Sequence, residues 1–186
     1  MRRCALVSWL LLLALYSSAG QASDEQAWAA LREGRAVLLM RHAIAPGTGD
    51  PANFQLGDCS TQRNLDQAGR EQARRWGALL RAQQITPQLL SSRWCRAQDP
   101  ARELGLGSVQ ALPTLDSFFQ TPTAAREQTA QLIAQINAYA MGAPRVMVSH
   151  QVNITALTEI FPASGEGLIL ALPLTVPAQV LARVKP

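Results

Sequence analysis

The sequence predicts an α/β protein, a three-layer α/β/α sandwich built on a mainly parallel sheet. Three observations carry that prediction. The runs Ala36–Met40 and Arg145–Ser149 are almost continuously apolar, as strands covered on both faces are. Segments with helical spacing of apolar residues alternate with such runs. The 186 residues, 48% hydrophobic and 16% charged, suffice for one domain with a substantial core and exclude a disordered chain. No segment recurs at a fixed period, which excludes a solenoid or propeller.

The elements follow in order. Met1-Arg2-Arg3, the apolar run Ala5–Tyr16 and the small residues Ser17 to Ala22 form the three parts of a secretory signal peptide, assigned to residues 1–22. The apolar run falls short of the ~20 residues a membrane-spanning helix needs. The remaining domain, 23–186, opens with Ser23 as a helix cap, Asp24 and Glu25 in the first turn, and an end near Gly34. A strand over 36–40 stops at Arg41-His42, and a turn-rich loop fills 44–64. Asp66 caps a helix to about Gln84, with Ala73, Trp76, Leu79 and Leu80 on one face. A strand over 88–92 and a helix from Arg96 to Leu104 come next. Thr121-Pro122 opens a helix to about Tyr139. A strand over 145–149 ends at His150, a helix spans Val152 to Ile160, and strands over 167–172 and 179–184 close the fold.

Charge and cysteines narrow the function classes. The formal charge of +4 falls by two when Arg2 and Arg3 leave with the signal segment. That balance is too weak to predict a nucleic acid or an anionic membrane surface as partner. The export signal predicts a periplasmic product with no stable membrane anchor after cleavage. Cys59 and Cys95 then form an even pair in an oxidising compartment, where a bridge is expected; two buried free thiols are the alternative. No cluster of Asp, His or Cys has metal-ligand spacing, so neither a metal nor another cofactor is predicted.

Both histidines of the chain stand directly after buried strands, in Arg41-His42 and Ser149-His150, and Arg96 lies four residues past the strand-terminal Ser92. In parallel α/β sheets, ligands bind beyond the carboxyl ends of the strands. Arg41, His42, Arg96 and His150 are therefore expected to converge on one rim.

That constellation resembles the histidine phosphatase superfamily, whose fold is phosphoglycerate-mutase-like. Its Arg-His-Gly signature is present as Arg41-His42-Ala43, its second motif as Ser92-Arg93-Trp94-Cys95-Arg96-Ala97-Gln98-Asp99-Pro100-Ala101, and its final histidine as His150. The helix motif between them is Leu65-Asp66-Gln67-Ala68-Gly69-Arg70-Glu71-Gln72-Ala73. The similarity runs over about residues 36–172, with two departures: Ala43 for glycine, and Pro100 for threonine, the latter expected in the tolerant first turn of a helix.

The resemblance implies a metal-independent phosphomonoesterase in which His42 forms a phosphohistidine. Arg41 and Arg96 would stabilise the transferring phosphoryl oxygens, with His150, when protonated, as a further cation. A backbone carbonyl accepting from Nδ1 of His42 would free Nε2 to attack. Asp116 is the candidate proton donor, with a turn or cap role as its alternative; Glu127 and Glu103 are weaker candidates. The segments 58–65 and 91–96 are similar to exported proteins near the lipopolysaccharide-core heptose phosphatases. Arg63, in the first of these segments, is a substrate-binding candidate, and so are Gln151 and Asn153, just after His150, although helix capping suits Asn153 equally well. The similarity implies a Cys59–Cys95 bridge that ties the long loop beside Arg96. Phe118 and Phe119 are candidates for the mouth of the site, with core packing expected for at least one. The expected partner is a small phosphorylated substrate, a cell-envelope sugar phosphate being one candidate. A non-catalytic phosphate- or phosphoglycan-binding module on the same fold is the alternative function.

Overall fold

A computed structural model describes residues 24–186; the segment assigned as a signal peptide lies outside the described residues. The helix over 24–32 (α1) leads into β1 (Ala36–Arg41). The order then runs α2 (Gln67–Ala82), β2 (Gln88–Ser91), α3 (Cys95–Glu103), β3 (Val109–Ala111), α4 (Ala125–Asn137), β4 (Arg145–Ser149), α5 (Gln151–Thr158), β5 (Gly167–Ala171) and β6 (Val180–Val184). The six strands form one sheet in the order β3-β2-β4-β1-β5-β6. The pairs β3–β2, β2–β4 and β4–β1 are parallel, while β1–β5 and β5–β6 are antiparallel. The sheet is thus mainly parallel, with an antiparallel flank.

The unbroken apolar runs have a direct cause, since alternate residues of a strand face opposite sides. Leu38 and Met40 of β1 join Val146 and Val148 of β4 against Trp28 and Leu31 of α1, Trp76 and Leu80 of α2, and Ala97 and Ala101 of α3. Val37, Leu39 and Met147 face the other way, onto Leu132 and Ile136 of α4 and Ile154 and Leu157 of α5. Each central strand therefore needs apolar residues at every position, and the three layers follow.

Asp66 caps α2 as expected, its carboxylate accepting from the Gly69 amide at 2.7 Å. Three local expectations are corrected. Thr121-Pro122 opens a 3₁₀ turn over Pro122–Ala124 rather than the α-helix itself, and the Thr121 side chain makes no capping bond. Pro100 lies in the middle of α3, not in its first turn. Its missing N–H removes the bond that would reach the Arg96 carbonyl. The short strand β3 also lies where no strand was expected. It is a three-residue edge strand, Val-Gln-Ala, with half-buried or exposed side chains and no apolar run to mark it.

Candidate active site

β1, β2 and β4 are parallel neighbours, so their carboxyl ends open on one rim. In register, Arg41 sits opposite Ser149 and Ser91 opposite Val148, which brings the residues that follow each strand together. The result is a cavity of about 390 Å³ whose wall includes Arg41, His42, Arg63, Arg96 and His150. The four residues expected to converge do so, and Arg63 joins them from the long loop. Gln151 also lines this cavity.

His42 is buried, with Nδ1 2.8 Å from its neighbour's carbonyl, Ala43 O. Nδ1 donates that bond, which leaves Nε2 unprotonated when the ring is neutral. Burial is the main cause pushing His42 down to about 3; the Ala43 bond opposes it, and the guanidinium groups of Arg96, Arg63 and Arg41 reinforce it. His42 is therefore a neutral base at pH 7, with Nε2 free to attack.

His150 stands 5.5 Å from His42 between ring centroids, at an interplanar angle of 65°. Its Nε2 is 2.8 Å from Ser92 Oγ, and Ser92 Oγ in turn donates to Asp116 Oδ1 at 3.2 Å. The hydroxyl proton is committed to the carboxylate, so Nε2 of His150 donates to Ser92; Nδ1 has no partner. Burial first, then His42 and the three arginines, hold His150 well below the usual histidine range. Without a bound anion His150 is neutral, so the free site lacks the further cation that a protonated His150 would supply.

The arginines are held by the backbone and side chains around them. Arg41 Nη1 donates to Pro162 O at 2.9 Å. Arg63 donates from Nε to Gly49 O at 2.9 Å and from Nη1 to Ala45 O. Arg96, whose side chain is 4% exposed, donates from Nη1 to Asp50 Oδ1 at 2.5 Å. Asp50 Oδ2 accepts from Trp94 Nε1 at 3.0 Å, and Phe54 stacks on Trp94 with ring centroids 5.2 Å apart. Burial opposes ionisation of Asp50, but the bonds from Arg96 and Trp94 prevail and keep it below the ordinary carboxylate range.

The helix motif around Gly69 now has a physical cause. A Cβ on Gly69 would lie 2.1 Å from Ile44 O, so only glycine lets α2 press against the chain leaving His42. Gln72 accepts from the Ile44 amide at 3.2 Å and donates to Ser164 O at 2.8 Å. It ties the loop after His42 to the segment whose Pro162 carbonyl holds Arg41. Ala43, in place of glycine, is accommodated without a positive φ, and it packs with Ala45 and Leu65.

Several expected residues are elsewhere. Asp116 does not line the cavity: its carboxylate accepts from Ser92 Oγ, from the Arg93 amide at 2.7 Å and from Arg93 Nε at 2.7 Å. It orients His150 through Ser92 instead of facing the site as a proton donor. Asn153 is buried behind it, donating to Asp116 O at 2.8 Å, and is a structural strut rather than a substrate contact. Glu103 pairs with Arg74, and Glu127 accepts from Gln131; neither lines the cavity. Phe118 is core, whereas Phe119 lines the mouth with Phe161. The sequence reading missed Phe161 and Asp50, each on a loop with no periodic signal. Cys59 and Cys95 are bridged, with Cα atoms 5.7 Å apart, joining the long loop to the residue before Arg96.

No protein-family model and no curated protein sequence matches the chain. Solved structures do. The protein histidine phosphatase SixA, complexed with tungstate, superposes with a TM-score of 0.56 at 22% identity over 81% of this chain and 97% of its own. The fold is that of the histidine phosphatases. A protein from Thermus thermophilus gives a TM-score of 0.59 at 18% identity, covering 81% of this chain and 99% of its own. A mycobacterial glucosyl-3-phosphoglycerate phosphatase complexed with VO3 gives 0.54 at 15% identity, covering 78% and 96%. On this histidine-phosphatase fold, both imidazoles and the three guanidinium groups surround one cavity at the strand ends.

Proposed function

We propose that the protein is a metal-independent phosphoric monoester hydrolase acting through a phosphohistidine on His42. One observation carries this: a neutral His42 with its Nε2 free, facing a second histidine inside a ring of three arginines. A phosphoryl group in transfer spreads charge over three oxygens, and forked, permanently charged donors suit it. The Nε2 lone pair attacks phosphorus, the P–O bond to the leaving group breaks, and water later attacks the phosphohistidine to release phosphate. Among the described residues lining the cavity there is no carboxylate, so His150 is the titratable group left to protonate the leaving oxygen. A bound phosphoryl dianion raises the proton affinity of His150 and prepares it for that step.

The fold's neighbours include a protein histidine phosphatase and a glucosyl-3-phosphoglycerate phosphatase, and the second of these names a small phosphorylated substrate, the class we favour here. Phe119, Phe161, Ser117 and Gln151 line the uncharged part of the cavity. Two aromatic faces beside a hydroxyl and an amide suit a neutral, ring-bearing leaving group such as a sugar, and the export signal read in the sequence favours a substrate of the periplasm or cell envelope. The test is hydrolysis of p-nitrophenyl phosphate in EDTA by wild type and by His42→Ala. Wild-type turnover that the variant lacks is expected. Undiminished activity in the variant removes His42 as nucleophile, and loss of wild-type activity in EDTA removes the metal-free mechanism. Phosphate binding without any turnover would instead favour the non-catalytic binding module.

A further inference from the structure

Asp50 is a buried carboxylate to which the proposed chemistry gives no part, yet it is bonded to one of the three guanidinium groups on the cavity wall. Its side chain is 6% exposed, and that of Arg96 is 4%. Trp94 Nε1 takes its second oxygen, Phe54 stacks on the Trp94 ring, and Trp94 itself packs edge-on against His150 with ring centroids 5.7 Å apart. The Cys59–Cys95 bridge fastens the same loop to the start of α3. Asp50 is thus held on both sides, and the carboxylate is fixed behind the cavity wall, against Arg96.

We propose that Asp50 is the internal counter-anion of the phosphate cradle, a positioning residue that fixes Arg96 and limits how tightly the cavity holds a phosphoryl dianion. The inference rests on the phosphatase function proposed above. With both histidines neutral, Arg41, Arg63 and Arg96 less Asp50 leave two positive charges, the complement of a dianion. Without Asp50 the cradle would carry three, and inorganic phosphate, the product of every turnover, would be held more tightly. Asp50 also occupies Nη1 of Arg96, a donor that an entering phosphoryl oxygen would otherwise claim. Both effects act in the same direction. A carboxylate here weakens ground-state anion binding and keeps the fork of Arg96 oriented, a combination that favours turnover over retention.

Direct titration of inorganic phosphate by calorimetry, on wild type and on Asp50→Asn, tests this independently of activity. The asparagine keeps the shape and an acceptor oxygen but removes the charge. Phosphate affinity is expected to rise about tenfold, with kcat and KM for p-nitrophenyl phosphate both falling as product release slows. A merely structural aspartate predicts the opposite, since a loosened Arg96 would bind phosphate more weakly. Unchanged or weaker phosphate binding in folded Asp50→Asn overturns the proposal. Should that variant fail to fold, Arg96→Gln is compared with the double variant Arg96→Gln/Asp50→Asn, in which no buried charge is left unpaired. Tighter phosphate binding by the double variant is expected, and equal affinity overturns the proposal. Wild type that binds no phosphate takes both down, and that outcome is distinct from a failure of the Asp50 inference alone.

Discussion

At one end of the cavity the ionisable side chains are buried or half-buried and anchored: Nδ1 of His42 to a carbonyl, His150 to Ser92, Arg41 to Pro162, Arg96 to Asp50. At the other, Phe119 and Phe161 stand 52% and 68% exposed on loops. The first end is made by strand termini of a sheet whose register leaves little freedom, together with the start of α3, and the second by segments that can change without disturbing the sheet. In the proposed reaction the difference separates tasks: the anchored end would set the geometry of phosphoryl transfer, and the open end would select what the phosphoryl group is attached to. Changes at the first should move kcat, and changes at the second KM.

The sharpest test of that division is His42→Ala. Losing the nucleophile should lower kcat by at least about a thousandfold while leaving phosphate binding intact, because the arginines remain. Equal losses of kcat and of phosphate affinity would mean that His42 shapes the cradle rather than attacking. Arg96→Ala comes next, with an expected loss of about a hundred- to a thousandfold in kcat/KM for one missing charged donor. It also strands Asp50, so urea unfolding should show about 3–5 kcal/mol of lost stability, largely recovered in Arg96→Ala/Asp50→Ala. Stability equal to that of the wild type would show that the pair is not buried as the structure has it.

The anchored end was also the end that the sequence revealed. His42 and His150 follow apolar runs whose continuity marks buried strands, and strand ends of a parallel sheet are forced to share a rim. Arg96 was legible by its distance from Ser92, and the Cys59–Cys95 bridge from the number of cysteines and the expected compartment. What escaped depends on contacts between loops. Asp50 and Phe161 reach their places through turns whose paths no periodicity encodes, and Asp116 looked like an acid in the site because sequence cannot show that Arg93 and Ser92 enclose it. The helix expected to start at Arg96 begins at Cys95, and either start leaves Pro100 beyond the opening residues of α3. Proline's known tolerance at helix starts suggested the first turn, where the chain instead accepts a lost hydrogen bond in mid-helix.

A pH titration of stability distinguishes the two ends by a smaller amount. His42 titrates at about 3 in the folded chain and near 6.5 when unfolded, so the unfolded state binds the extra proton first as pH falls. The stability that comes from keeping His42 neutral is complete above pH 6.5 and is lost on acidification towards pH 3, at about 1.4 kcal/mol per pH unit. His150 acts in the same direction. His42→Asn should flatten this acid slope, whereas Phe161→Ala should leave it unchanged. An identical slope in wild type and His42→Asn would contradict the burial of the imidazole.

The smallest effect is expected at the mouth. Phe161 is exposed, so removing its ring costs little fold stability, within about 0.5 kcal/mol. A ring stacked on a substrate ring contributes about 0.5–1.5 kcal/mol, equivalent to a two- to tenfold change in affinity. Phe161→Ala should therefore raise KM by that factor for an aryl or sugar phosphate and leave kcat unaltered. The same variant should hydrolyse a phosphate ester with a one- or two-carbon leaving group at the wild-type KM, since so small a group extends little beyond the arginines. A KM that rises equally for both substrates would mean that Phe161 supports the cradle, and the separation between an anchored end and a selecting end would not hold at that residue.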